Sequence, residues 1–199
     1  MKHVSIDIET MSSDPTAAVV AIGARMFDAS GMGTGFEIYI SQADATRLGH
    51  VSMDTMAWWA KQPAYSKVFG GTVDSASAIK KLAEFFSTHR PEFVWANGPQ
   101  FDLVILRHLY RQVGMPVPWH YRAERDFRTI RDVANLRNVN LDGLYDGTAH
   151  TPLDDATNQA RVIAKVLAEL SPPAAPAKRG PGRPRSAPSQ LDLALEPNP

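Results

Sequence analysis

Three acid-bearing stretches carry the chemistry open to this chain: "SIDIET" at residues 5–10, "NGPQFD" at 97–102 and "HTPLDDA" at 150–156. Asp7 and Glu9 stand two apart in an alternating run, so on a strand they share one face, opposite Val4, Ile6 and Ile8. Two like charges that close repel, and by itself the pair reads equally as the wet face of a strand. Asp102 is followed at helical spacing by Ile105, Leu106, Leu109 and Val113, which puts it near the centre of an apolar stripe. A carboxylate there needs a cation, a proton or an opening in the core. The other reading is a first-turn aspartate that meets the helix dipole and faces solvent. In the third stretch Ala156, Ala160, Ile163, Leu167 and Leu170 form the apolar stripe of a last helix. Asp154 falls on the opposite side with Asn158, Arg161 and Lys165, as surface and cap. Asp155 lies about 100° round from it, bordering the stripe. His150 precedes the helix in a glycine-containing loop, "DGTAHTP", that lets it face the same point.

These residues need a scaffold that brings an early strand, a middle helix and a late helix together. Three strand-like runs come first: "HVSIDIE", "VVAIGARMF" and "GFEIYI", the last with Phe36, Ile38 and Ile40 on one face, joined by short links as in an antiparallel meander. "SMDTMAWWAKQ" reads as a helix capped by Ser52, and "DSASAIKKLAEFFSTHR" as a longer one capped by Asp74. A strand "PEFVWAN" follows, then a helix "PQFDLVILRHLYRQV" that stops at Gly114 and Pro116. Residues 119–137 read as a strand running into a helix, and the last helix covers 153–170 and ends at "SPP". The expected fold is α/β: an antiparallel three-strand meander extended by parallel strands into one mixed sheet, flanked by helices.

With 199 residues, 44% of them hydrophobic, the chain suits one buried body, placed at 1–171. From 172 to 199 it turns proline-rich and basic, a composition that cannot bury enough surface to order itself, so this tail reads as disordered. The absence of cysteine excludes disulfides and thiolate zinc sites and fits a reducing, cytoplasmic setting. No stretch approaches the ~18 apolar residues of a membrane span. Twenty-one basic and twenty-one acidic side chains cancel, so any polyanion must be held locally. Lys178, Arg179, Arg183 and Arg185 against Asp192 and Glu196 leave the tail at +2 and the body at −2.

In their order and placement the three stretches resemble the motifs of the DEDDh 3'-5' exonucleases, which have a ribonuclease H-like fold. "VSMDTMAWWAKQP" and "RDFRTI" are similar to the small phage and bacterial ribonuclease T-like members, including the phage exonuclease A type. The likeness spans residues 1–170. It implies removal of nucleoside monophosphates from the 3' end of single-stranded DNA or RNA. Four carboxylates without cysteine suit hard divalent cations, Mg²⁺ or Mn²⁺, and two such ions would balance their charge. By resemblance Asp7 bridges the two ions, Glu9 and Asp155 complete the nucleophile-side site and Asp102 supports the other. His150 is the general base for the attacking water. Thr10, Met11, Asn97 and Phe101, which flank the first two motifs, are expected at the terminal nucleotide. Trp58 and Trp59 diverge on a helix, so one belongs to the core and the other can stack on a base; Trp59 is assigned to the substrate. Arg128 is assigned to phosphate, with the alternative that Arg125 and Arg128 pair with Asp126 and Asp132 in a structural network.

Two rival readings differ in class. A ribonuclease H-like endonuclease also uses carboxylates and two metals, but His150 placed five residues before Asp155 argues against it. A noncatalytic nucleic-acid-binding adaptor would make the tail the working part, and predicts degraded motifs where all five positions stand intact. Within the tail, "KRGPGRPRS" resembles an AT-hook. Gly182, Arg183 and Pro184 match its core, while Pro181 stands where the usual core has arginine. As a hook, Arg179, Arg183 and Arg185 would enter the narrow minor groove of A·T-rich duplex DNA; the alternative is a basic tail that aids solubility.

Overall fold

Alternation in the first forty residues produces strands β1 (His3–Thr10), β2 (Val19–Asp28) and β3 (Gly31–Tyr39), paired antiparallel in sequence. In the computed structural model, which describes residues 1–171, two short strands extend this meander on its other side. Strand β4 (Phe93–Ala96) runs parallel to β1, and β5 (Glu124–Asp126) runs parallel to β4. The order β3-β2-β1-β4-β5 makes β1 the central strand of the mixed sheet expected from the sequence. The proline-rich tail, with Arg179, Arg183 and Arg185, lies outside the described residues.

Seven helices accompany the sheet among the described residues: α1 (Gln42–Leu48), α2 (Met53–Trp59), α3 (Tyr65–Val68), α4 (Ser75–His89), α5 (Asp102–Gln112), α6 (Phe127–Leu136) and α7 (Pro152–Leu170). Ser52 and Asp74 cap α2 and α4, accepting from the backbone N–H groups of Thr55 and Ser77. Helices α1 and α3 are not announced by the sequence: α3 is a single turn, and α1 buries only Ala45, so neither shows an apolar period. Helix α5 starts at Asp102, later than its apolar pattern suggests, because Gly98 takes a left-handed φ of 96° and turns the chain.

Strand β1 is covered on both faces. Val4, Ile6 and Ile8 pack with Ile79, Leu82, Ile105 and Leu106 in one apolar cluster. Under the opposite face a second cluster joins Phe27 and Trp95 to Ala160, Ile163 and Val166 of α7. His3, Ser5 and Glu9 therefore lie buried, and the wet-strand reading of this face does not hold.

The close seat of α7 depends on Gly23, the residue of β2 paired with Asp7. A Cβ at position 23 would lie 2.1 Å from the carbonyl carbon of Pro152. That atom belongs to the backbone of the first turn of α7 and cannot rotate away. Gly23→Ala is therefore expected to push α7 off the sheet and to destabilise the fold by about 1–3 kcal/mol, the usual cost of overpacking. Urea denaturation followed by circular dichroism measures the loss.

Candidate active site

Asp7 and Glu9 stand on the half of β1 that β4 does not reach, since β4 pairs only with His3 to Ser5. Beyond that pairing, the backbone N–H of Ile8 donates to Oδ1 of Asp102 at 3.2 Å. The first residue of α5 thus occupies the flank of β1 where a strand would otherwise continue. Asp102 is 3% exposed, so it is no solvent-facing dipole partner.

The third carboxylate group comes from the start of α7. His150 adopts a left-handed φ of 61°, and its backbone N–H donates to Oδ2 of Asp155 at 2.9 Å. Carboxylate oxygens of Glu9 and Asp155 and a ring nitrogen of His150 all lie within 4.8 Å of one another. Asp154 faces the other way, where its Oδ2 accepts from the Thr148 N–H at 2.9 Å and from the Thr151 hydroxyl at 2.8 Å. The adjacent aspartates divide their work: Asp155 faces the cleft, and Asp154 anchors the loop that carries His150. Asn158, expected on the solvent side with Asp154, is instead buried. It accepts from the backbone N–H of Asp146 and donates to its carbonyl, because α6 and the loop before α7 cover that side of the helix.

One buried polar residue escaped the sequence reading. Gln159 donates from Nε2 to Oδ1 of Asp7 at 2.8 Å and accepts at Oε1 from the Ser5 hydroxyl at 3.0 Å. Its signal was present: it follows Asp155 by four residues, so the two share a helix face.

The carboxylates and His150 line an open cleft of about 400 Å³, with Asn97, Phe101 and Arg128 on its wall. The Arg128 guanidinium lies over Gly98 and donates from Nε to Asn97 Oδ1 at 3.3 Å. Asp126 is engaged as the cap of α6, accepting from the Arg128 backbone N–H and the Thr129 hydroxyl. Arg125 lies over the Phe93 ring and donates to the carbonyls of Arg122 and Glu124. The arginine and aspartate network considered for these residues is not formed. Arg131 and Tyr145, not singled out in the sequence, also border the cleft.

Three expected nucleotide contacts need correction. Trp59 is 2% exposed and donates its indole N–H to the Thr10 carbonyl at 2.8 Å, so it is a core residue that braces the end of β1. Met11 is equally buried, its backbone N–H and carbonyl bonded to Ala18 and Ser52. The buried Thr10 directs its hydroxyl to the Ser12 carbonyl. The rotation of α2 sends Trp59 inward and leaves Trp58 exposed, its ring edge-on to His150 with centroids 4.9 Å apart.

Electrostatics at the cleft are unfavourable without a counter-charge. Burial raises Asp7 well above the usual carboxylate range, and the charges of Asp102, Glu9 and Asp155 raise it further. Burial, then Asp155 and Asp102, push Glu9 up to about 8. Asp102 is pushed up to about 7 by burial, with the Ile8 N–H opposing, and burial also raises Asp155 against the pull of the His150 N–H. Oε1 of Glu9 is buried with no hydrogen-bond partner. An all-oxygen donor set with an orphaned, electron-rich oxygen fits a hard divalent cation.

Residues 2–167 match the profile of the "3'-5' exoribonuclease Rv2179c-like domain". The chain belongs to this family. The 3'-5' exonuclease eri1 of Schizosaccharomyces pombe is 26% identical over 115 residues, covering 53% of this chain and 39% of the relative, so the chain spans well under half of that protein. Among solved structures, the nuclease domain of 3'hExo, a DEDDh family member bound to rAMP, aligns with a TM-score of 0.61 at 14% identity, over 84% of this chain and 92% of that one. Pop2p of S. pombe, in a form with Mg²⁺ and Mn²⁺, aligns at 0.59 and 13% identity over 84% and 83%. E. coli exonuclease I with single-stranded DNA aligns at 0.64 and 12% identity over 85% and 41%. These likenesses establish the ribonuclease H-like nuclease fold.

Raised carboxylate pKa values set the sign of a pH effect. Folding keeps protons on Glu9 and Asp102 that the unfolded chain releases near its ordinary values, so their contribution is fully present below about pH 4 and is lost progressively as pH rises to the folded values of about 7 and 8. Metal-free protein is therefore expected to lose thermal stability progressively from about pH 4 to about pH 8 and to level off above it. Added Mg²⁺ should restore it, and Glu9→Gln should flatten the decline. Melting curves in chelator and in Mg²⁺ across that range check all three.

Proposed function

We propose that this chain is a divalent-metal-dependent 3'-5' exonuclease that releases nucleoside monophosphates from the 3' end of single-stranded nucleic acid. The observation that carries the reading is the convergence of Asp7, Glu9, Asp102 and Asp155 with His150 in one open cleft. Family membership supports it, and the family's description favours RNA over DNA. The 3'hExo and exonuclease I structures hold rAMP and single-stranded DNA, and that of Pop2p holds Mg²⁺ and Mn²⁺.

The four carboxylates would hold two ions, Mg²⁺ or Mn²⁺, which when bound offset their charge and stabilise the attacking and leaving oxygens of an in-line displacement. His150 takes the proton of the attacking water at a ring nitrogen. Its backbone tie to Asp155 and the edge of Trp58 hold it in place for that transfer. Arg128 faces the phosphate, while Asn97 and Phe101 border the terminal nucleotide. Among the described residues no helix is long and apolar enough to cross a membrane; a cytoplasmic location suits a cysteine-free chain. The basic tail, through Arg179, Arg183 and Arg185, would tether A·T-rich duplex DNA.

A 5'-labelled single strand separates the nuclease classes: a descending ladder is expected, and internal fragments would indicate an endonuclease. Excess chelator should abolish cleavage. His150→Ala should slow hydrolysis by about 10²–10⁴-fold while calorimetry still detects Mn²⁺ binding. Asp155→Asn should remove most activity, and Asp154→Asn much less. Deletion of residues 172–199 should weaken binding to A·T-rich duplex at low salt and leave cleavage of a short single strand unchanged; equal duplex affinity removes the tether.

A further inference from the structure

Ser5 and Gln159 take no part in the chemistry above, yet among the described residues they form the only hydrogen-bonded side-chain link between β1, which carries Asp7 and Glu9, and α7, which carries Asp155. We propose that Ser5 and Gln159 are a positioning pair: the Ser5 hydroxyl holds the Gln159 amide, the amide holds Asp7, and the pair sets the affinity of the site for divalent cations. The inference rests on the reading of the four carboxylates as a metal centre.

The chemistry of the link is specific. Ser5 is 0% exposed, so water cannot stand in for its hydroxyl, and Gln159 is 5% exposed. A carboxamide has a donor end and an acceptor end of nearly the same shape, and only the donor end is attracted to a carboxylate. In the observed orientation Nε2 meets Asp7 and Oε1 meets the Ser5 hydroxyl, so both ends are satisfied at once. Removal of the hydroxyl leaves Oε1 buried without a donor, and the amide recovers a partner only by turning away from Asp7.

Gln159 is also the neutral choice at this position. Asp7 stands among the repelling charges of Asp102, Glu9 and Asp155, and the Gln159 N–H acts against that repulsion. A lysine or arginine would hold Asp7 as firmly but would cancel the charge that attracts a cation. An amide fixes the carboxylate and leaves its charge in place. Because Gln159 lies one turn beyond Asp155, the same bond also sets how far the aspartate of α7 stands from that of β1.

The test is calorimetric titration of Mn²⁺ into the full chain, without nucleic acid, for wild type, Ser5→Ala and Gln159→Met, with melting temperatures taken in chelator. Loss of a residue that orients a metal ligand typically costs 10–100-fold in affinity. Gln159→Met, similar in shape but without the amide, is expected to weaken Mn²⁺ binding by about that range, and Ser5→Ala, which removes no hydrogen bond of Asp7's own, by about 10-fold. Ser5→Ala with wild-type Mn²⁺ affinity overturns the inference, whatever its melting temperature. Should Gln159→Met fail to fold, Ser5→Ala decides alone. Wild type that binds no Mn²⁺ overturns the metal reading itself, and this inference with it.

Discussion

Burial of four carboxylates in one cleft is the constraint around which this molecule is built. Burial raises every one of them, and Asp7 and Glu9 are raised further by their neighbours. A fold would ordinarily relieve such strain by letting the chains that carry the charges drift apart. Here they cannot. Asp7 and Glu9 are fixed by the central strand, Asp102 is tied to that strand through the Ile8 N–H, and Asp155 is pressed onto the sheet by a helix whose first turn occupies the space left by Gly23. The apolar clusters on the two faces of the sheet supply the stability that this arrangement costs.

What holds the charges also organises the groups around them. The Asp155 carboxylate sets the backbone of His150, and the Asp154 carboxylate beside it sets the loop. Trp58 and Trp59 act on opposite sides of the same region: the buried indole braces the Thr10 carbonyl at the end of β1, and the exposed one abuts the imidazole. Structural and chemical roles therefore alternate residue by residue along the same short segments.

That alternation explains which parts of the molecule were legible in the sequence. Asp102 stood out because a charge on an apolar stripe conflicts with local pattern, and conflict is visible without coordinates; Asp7, Glu9, His150 and Asp155 were legible through their order and spacing. The meander, the mixed sheet and the caps at Ser52 and Asp74 were legible for the complementary reason, that local pattern and fold agree there. The rotation of α2 was not, since two tryptophans in succession give no phase and only the packing of Trp59 against β1 decides it. Asn158 and Gln159 were obscured because α7 is covered on more than one side, so an expectation of one apolar stripe and one solvent face misassigns them.

The link from Ser5 to Gln159 joins residues 154 positions apart. During synthesis, β1 with Asp7 and Glu9 is made well before α7 with Asp155. A partial chain that ends before Pro152 lacks Asp155, the support that Gln159 gives Asp7 and the cover that α7 gives the face of β1 opposite Val4, Ile6 and Ile8. On the nuclease reading, the site is therefore complete only once α7 has docked on β1.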